Sequence, residues 1–170
     1  MQIVFDHGIY TEVIEGAVLK AERTVWIATA DLKDLHVKTW RGYAPILERF
    51  EAMAKRGVRF RVVHAKLPSG PFRDTLEALP TLSSGAMELQ ICPRSHWKMV
   101  IVDGTFGYFG SANFTGAGLG VKRQERRNLE VGAITRAPTV VKTLVDHFDG
   151  FWMGRVCQSC TFRNTCPDPI

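Results

Sequence analysis

At 170 residues, 45% hydrophobic and 23% charged, the chain suits one domain around one core; two independent domains would each be marginal. This composition excludes bulk disorder, and no stretch approaches the ~20 apolar residues of a membrane-spanning helix. A formal charge of +5 and a pI near 9.2 favour phosphate-rich partners such as nucleic acid or anionic lipid. The first residues, Met1-Gln2-Ile3-Val4-Phe5-Asp6, lack the basic and apolar regions of a secretory signal, so a cytoplasmic location is expected.

In chain order, 2–5 is a short apolar strand, and 10–21 has helical spacing through Val13, Ile14, Ala17 and Leu19, with Thr11 as N-cap. Residues 24–29 are rich in β-formers and predict a buried strand. Ile46, Leu47, Phe50 and Met53 form one stripe of a helix over 43–55, stopped by Gly57. A strand over 58–64 follows, then a short helix over 72–79 closed by Pro80. Strands are expected at 87–91, 97–102, 108–111 and 129–134, and a last helix at 139–152. Strands alternating with helices, then several strands close together, predict an α/β domain with a mixed sheet flanked by helices. The domain would span residues 1–153, and residues 154–170 form a polar, Cys-rich tail.

The chemistry is concentrated between residues 92 and 131. His96-Trp97-Lys98 followed by Asp103 has the form H-x-K-x4-D. Side chains two apart on a strand share a face, so His96 and Lys98 project together, whereas Asp103 has the opposite parity and buttresses. Gly110-Ser111-Ala112-Asn113 repeats the spacing with a hydroxyl and an amide, and Asn128-Leu129-Glu130 does so with an amide and a carboxylate. An imidazole, an ammonium, neutral donors and a carboxylate suit phosphodiester cleavage, which needs a nucleophile, charge stabilisation and an acid for the leaving oxygen.

These segments resemble the phospholipase D superfamily, whose signature is H-x-K-x4-D, then G-S-x-N, then N-x-E. The resemblance implies a phospholipase D-like half-domain. In it, His96 forms a covalent phosphohistidine, and Lys98, Ser111 and Asn113 bind the non-bridging oxygens. It also implies that Glu130 hydrogen-bonds His96, with Glu125 as the alternative carboxylate because the stretch from Asn113 to Asn128 is long for the family. Catalysis in this family needs no metal.

The family reaction uses two histidines, and this chain carries one full motif. His36-Val37-Lys38 has no Asp at the required spacing and is expected to be a surface loop. A single-motif chain resembles the short nucleases of the family, which complete their site across a two-fold axis, so a homodimer sharing one active site is expected. DNA or RNA is the expected substrate, bound by Lys122, Arg123, Arg126 and Arg127. The alternatives are a phospholipid phosphodiesterase or phosphatidyl transferase, and a non-catalytic nucleic-acid-binding module.

Cys157-x2-Cys160-x5-Cys166 holds three of the four cysteines, and Cys92 is the fourth. In a cytoplasmic protein this spacing indicates a metal site more than disulfides. The ligand pattern resembles the iron–sulfur staple of RecB-type exonucleases, which have another fold. A cysteine-only set is expected to hold a structural four-iron cluster or a zinc ion, the cluster first.

Overall fold

The computed structural model describes residues 1–40 and 42–170. Among the described residues, nine strands form a seven-stranded mixed sheet and a separate hairpin. They are β1 (Gln2–Phe5), β2 (Thr24–Thr29), β3 (His36–Thr39), β4 (Gly42–Pro45), β5 (Arg59–His64), β6 (Met87–Ile91), β7 (Met99–Val102), β8 (Phe106–Gly110) and β9 (Val131–Thr135). The main sheet runs β1-β9-β8-β7-β2-β5-β6; β2, β5 and β6 are mutually parallel and all other pairings are antiparallel.

Alternation along the strands sorts side chains between two helical layers. Val25 and Ile27 of β2, with Phe60, Val62, Val100 and Val102, face the larger core. That core is closed by the segment α1 (His7–Ile9), by α2 (Ile46–Ala54) and by α3 (Gly70–Glu77). Ala28, Val63, Met99 and Ile101 face the other way and pack on Phe148 and Phe151 of α4 (Pro138–Trp152). The result is the expected mixed sheet flanked by helices.

Three local expectations are corrected. The helix over 10–21 is broken: α1 continues as a widened π-type turn over Tyr10–Glu15, then a 3-10 turn over Val18–Lys20. The chain enters this segment at Asp6, and Thr11 lies inside it, so Thr11 is not its N-cap. The helix expected from Tyr43 begins only at Ile46, because the residue before a proline avoids the helical region and Gly42–Pro45 pairs as β4. Finally, His36-Val37-Lys38 is a strand of the β3–β4 hairpin and not a loop, held by buried Val37 while His36 and Lys38 face solvent.

Candidate active site at one end of the sheet

β7 and β9 each begin two residues later than the sequence predicts and β8 ends one residue earlier, and this places the polar side chains at the strand ends. His96 and Lys98 immediately precede β7, Ser111 and Asn113 follow β8, and Glu130 immediately precedes β9. Because β7, β8 and β9 are antiparallel in turn, these ends coincide, together with the end of β2. Gly110 N–H donates to Lys98 O at 3.0 Å and Ser111 N–H to Val131 O at 2.9 Å, which locks the segments side by side.

His96 is exposed, and its Nδ1 lies 2.9 Å from the Lys98 ammonium, which also donates to His96 O at 2.9 Å. Burial lowers the Lys98 pKa, and the nearby Glu130 carboxylate opposes that shift. Asn113 is fixed through its carbonyl: Oδ1 accepts from Ala30 N–H at 3.1 Å and Asp31 N–H at 3.3 Å. Its Nδ2 is therefore left as a donor. The Thr29 hydroxyl supports this turn by donating to Asp31 O at 2.8 Å and accepting Phe114 N–H at 2.9 Å.

Glu130 does not bond His96 within the chain, contrary to the sequence expectation. Its carboxylate instead accepts from the Ser111 hydroxyl and, at 2.9 Å, from Asn128 Nδ2. Glu125 lies exposed in a 3-10 turn over Gln124–Arg126 and joins none of these bonds.

Asp103 stands at the far end of β7. It begins an Asp-Gly turn with φ of 52° at Asp103 and 66° at Gly104, as a tight hairpin demands. Its carboxylate accepts from the N–H groups of Glu22, Arg23 and Thr24 at 2.8–2.9 Å. Burial would raise this carboxyl, but those three amides outweigh it and hold Asp103 below the usual carboxylate range. The last letter of the motif thus ties β7 to the start of β2.

Two supports escaped the sequence reading. Asp6 Oδ1 accepts Glu130 N–H at 2.8 Å, and Asp6 N–H donates to Glu130 O at 3.0 Å. Tyr108 lies buried beneath the site, and burial pushes its phenol up to about 12. A Cβ on Gly132 would stand 2.3 Å from the Tyr108 ring, and one on Gly110 would stand 2.6 Å from its hydroxyl. This close approach explains the glycine of G-S-x-N.

Of the expected substrate-binding residues, Lys122, Arg123 and Arg126 are exposed and Arg127 is half-buried, its Nε donating to Lys122 O. None forms a salt bridge among the described residues. The free thiols of Cys92, Cys157, Cys160 and Cys166 all line one cavity of about 210 Å³ beside the His96 loop. Among the described residues, no three His, Cys, Asp or Glu side chains are placed to hold a single metal ion.

A family model described as cardiolipin synthase, PLD-like domain, matches residues 15–152. The chain belongs to the phospholipase D superfamily. Its phospholipase D-like fold is shared with solved structures of low sequence identity. Nuc from Salmonella typhimurium, a phospholipase D family member, aligns with a TM-score of 0.63 at 19% identity, over 89% of this chain and 93% of that one. NucT from Helicobacter pylori gives 0.63 at 13%, over 89% and 96%. Phosphatidylserine synthase from Haemophilus influenzae gives 0.58 at 15%, over 88% of this chain and 37% of that one. TrmBL2, an archaeal chromatin protein described as binding DNA in a novel mode, gives 0.56 at 15%, over 90% and 52%. A comparison with curated protein sequences finds no match. No helix among the described residues of this phospholipase D-like chain is long and apolar enough to cross a membrane.

Proposed function

We propose that this chain is an endonuclease that cleaves phosphodiesters without a catalytic metal and works as a homodimer. The observation that carries the reading is the convergence of His96, Lys98, Ser111, Asn113 and Glu130 at one end of the sheet. An imidazole nitrogen of His96 attacks phosphorus, the N–P bond forms and the P–O bond to the leaving nucleotide breaks. Lys98 Nζ and Asn113 Nδ2 stabilise the charge gathering on the non-bridging oxygens. The His96 of a second copy protonates the leaving oxygen; it then takes a proton from water as that water cleaves the phosphohistidine.

The dimer is supported by the single motif and by a bare apolar stripe. Register places Ile3, Phe5, Phe109 and Val131 on one face at the β1 edge, and all four are exposed. Nucleic acid is supported by the net positive charge and by the exposed Lys122, Arg123 and Arg126 between the G-S-x-N and N-x-E segments. The description of the matching family model as cardiolipin synthase favours a second reading, in which the same residues act on a phospholipid headgroup.

The test is cleavage of single- and double-stranded DNA and RNA in EDTA by wild type and His96→Ala. Cutting by wild type that the variant lacks is expected. A folded, dimeric wild type that cuts no nucleic acid but turns over phospholipid vesicles would move the assignment to the second reading. If His96→Ala retains nucleic-acid binding while wild type cuts neither substrate class, the chain is a binding module.

A further inference from the structure

The four cysteines come from two distant parts of the chain, and the tail is held back onto the domain to bring them together. Asp168 Oδ2 accepts Ile91 N–H at 3.0 Å, at the end of β6, one residue before Cys92. Arg163 Nη1 donates to Cys157 O at 3.2 Å, and Arg94 Nη1 to Cys160 Sγ at 3.2 Å. The cavity lined by the four thiols also takes in Ile91, Trp97, Phe151 and Pro169, so its wall is largely apolar. Two buried donors line it as well, the amide of Gln90 and the hydroxyl of Ser95. Neither Gln90 Nε2 nor Ser95 Oγ has a hydrogen-bond partner among the described residues. A buried polar group without a partner costs free energy, and two on one cavity point to an occupant that accepts hydrogen bonds.

We infer that Cys92, Cys157, Cys160 and Cys166 ligate a four-iron, four-sulfide cluster in this cavity, and that the cluster positions the His96 loop. The placement of the thiols separates this occupant from a zinc ion. A zinc ion draws its thiolates to about 2.3 Å around one point, whereas these thiols surround a cavity and do not converge on a single-ion site. Gln90 and Ser95 would donate to the sulfurs of the occupant, which include inorganic sulfides in a cluster. The guanidinium groups of Arg94 and Arg163, both on the cavity wall, offset the negative charge of four thiolates around a cluster. Binding takes up the cysteines as thiolates and releases their protons.

The positioning role follows from chain geometry and rests on the reading of His96 as nucleophile. Ser95 and Trp97, on either side of His96, both line the cavity, and Cys92 lies four residues before it. An occupied cavity therefore fixes both flanks of His96, and an empty one frees the loop from 92 to 98.

The experiment is metal analysis of the full chain purified without oxygen, followed by amide hydrogen exchange. Iron and acid-labile sulfide are expected in equal amounts, about four of each per chain, with a visible absorption that dithionite bleaches. Cys157→Ser with Cys160→Ser loses both. About one zinc per chain without sulfide overturns the cluster, and so does a wild type that holds no metal after anaerobic reconstitution with iron and sulfide. Exchange in residues 92–98 is expected to be at least about tenfold faster in cluster-free than in loaded wild type. Equal exchange overturns the positioning role. Neither readout depends on what the site cleaves, so failure here and failure of the endonuclease reading are told apart.

Discussion

Asp6 and Glu130, 124 residues apart, grip each other through two hydrogen bonds, one from the Glu130 N–H to the Asp6 carboxylate and one from the Asp6 N–H to the Glu130 carbonyl. Asp6 takes a φ of 48° to do so, a positive value uncommon for residues other than glycine. The bracket sets where Glu130 enters the site, and with it the Ser111 and Asn128 side chains that Glu130 binds. Asp6→Ala should cost about 1–2 kcal/mol of stability and lower kcat more than it raises KM, since Asp6 meets no substrate. Asp6→Asn, which keeps an acceptor, should recover most of both. Denaturant unfolding together with steady-state cleavage checks this, and an Asp6→Ala enzyme with unchanged kcat would remove Asp6 from the positioning role.

Glu130 also acts on Lys98 through charge. Burial lowers the Lys98 pKa and Glu130 pushes it back up, so the carboxylate keeps Lys98 an ammonium at higher pH. Replacing Glu130 with Gln removes that support. The alkaline limb of the rate profile, where Lys98 gives up its proton, should then move to lower pH. A pH–rate series on wild type and Glu130→Gln reads the shift directly. An alkaline limb that stays in place would mean that another group sets it.

Much of this arrangement was legible in the sequence because spacing carries it. H-x-K-x4-D, G-S-x-N and N-x-E are short-range patterns, and the alternation of Val58, Phe60 and Val62 in residues 58–64 gives the core face of β5. What spacing cannot carry is contact between distant segments. The pairing of Glu130 with Ser111 and not His96 depends on where β9 begins. The role of Asp6 depends on β1 pairing with β9, across most of the chain. The strand in residues 42–45 was hidden because Tyr43 and Ala44 suit a helix as well, and only Pro45 marks the break. The Ser95 and Gln90 donors looked like ordinary polar residues until their burial against the cysteines was seen.

Asp103 offers a stability prediction whose sign follows from its environment. Its folded-state pKa is held below the unfolded value by three backbone amides. The stabilisation is therefore fully present above the unfolded carboxyl pKa of about 3.9 and is lost as pH falls through the folded value. Asp103→Ala should cost about 2 kcal/mol at neutral pH, the low end for bonds to a charged acceptor because partial exposure screens them. As pH falls through the folded value, the gap between variant and wild type should narrow. Cleavage by the folded variant should stay near wild type, since Asp103 sits away from His96. A folded Asp103→Ala protein with no activity would instead place Asp103 in the chemistry.

The exposed apolar stripe gives the strongest test of a shared site. Ile3, Phe5, Phe109 and Val131 border the end of the sheet that holds Ser111 and Glu130, and a groove lined by Phe109, Val140 and Leu144 extends the same face onto α4. If a second copy covers this face, Phe5→Glu buries a charge in the interface and should yield monomers in sedimentation analysis. Those monomers should keep the fold, because Phe5 is exposed in the single chain. They should lose cleavage, because each reaction needs two copies of His96. The same logic predicts that excess His96→Ala chain, allowed to exchange subunits with wild type, suppresses wild-type activity. Active Phe5→Glu monomers, or wild-type activity indifferent to the inactive chain, would show that one chain suffices and that the second acid comes from elsewhere.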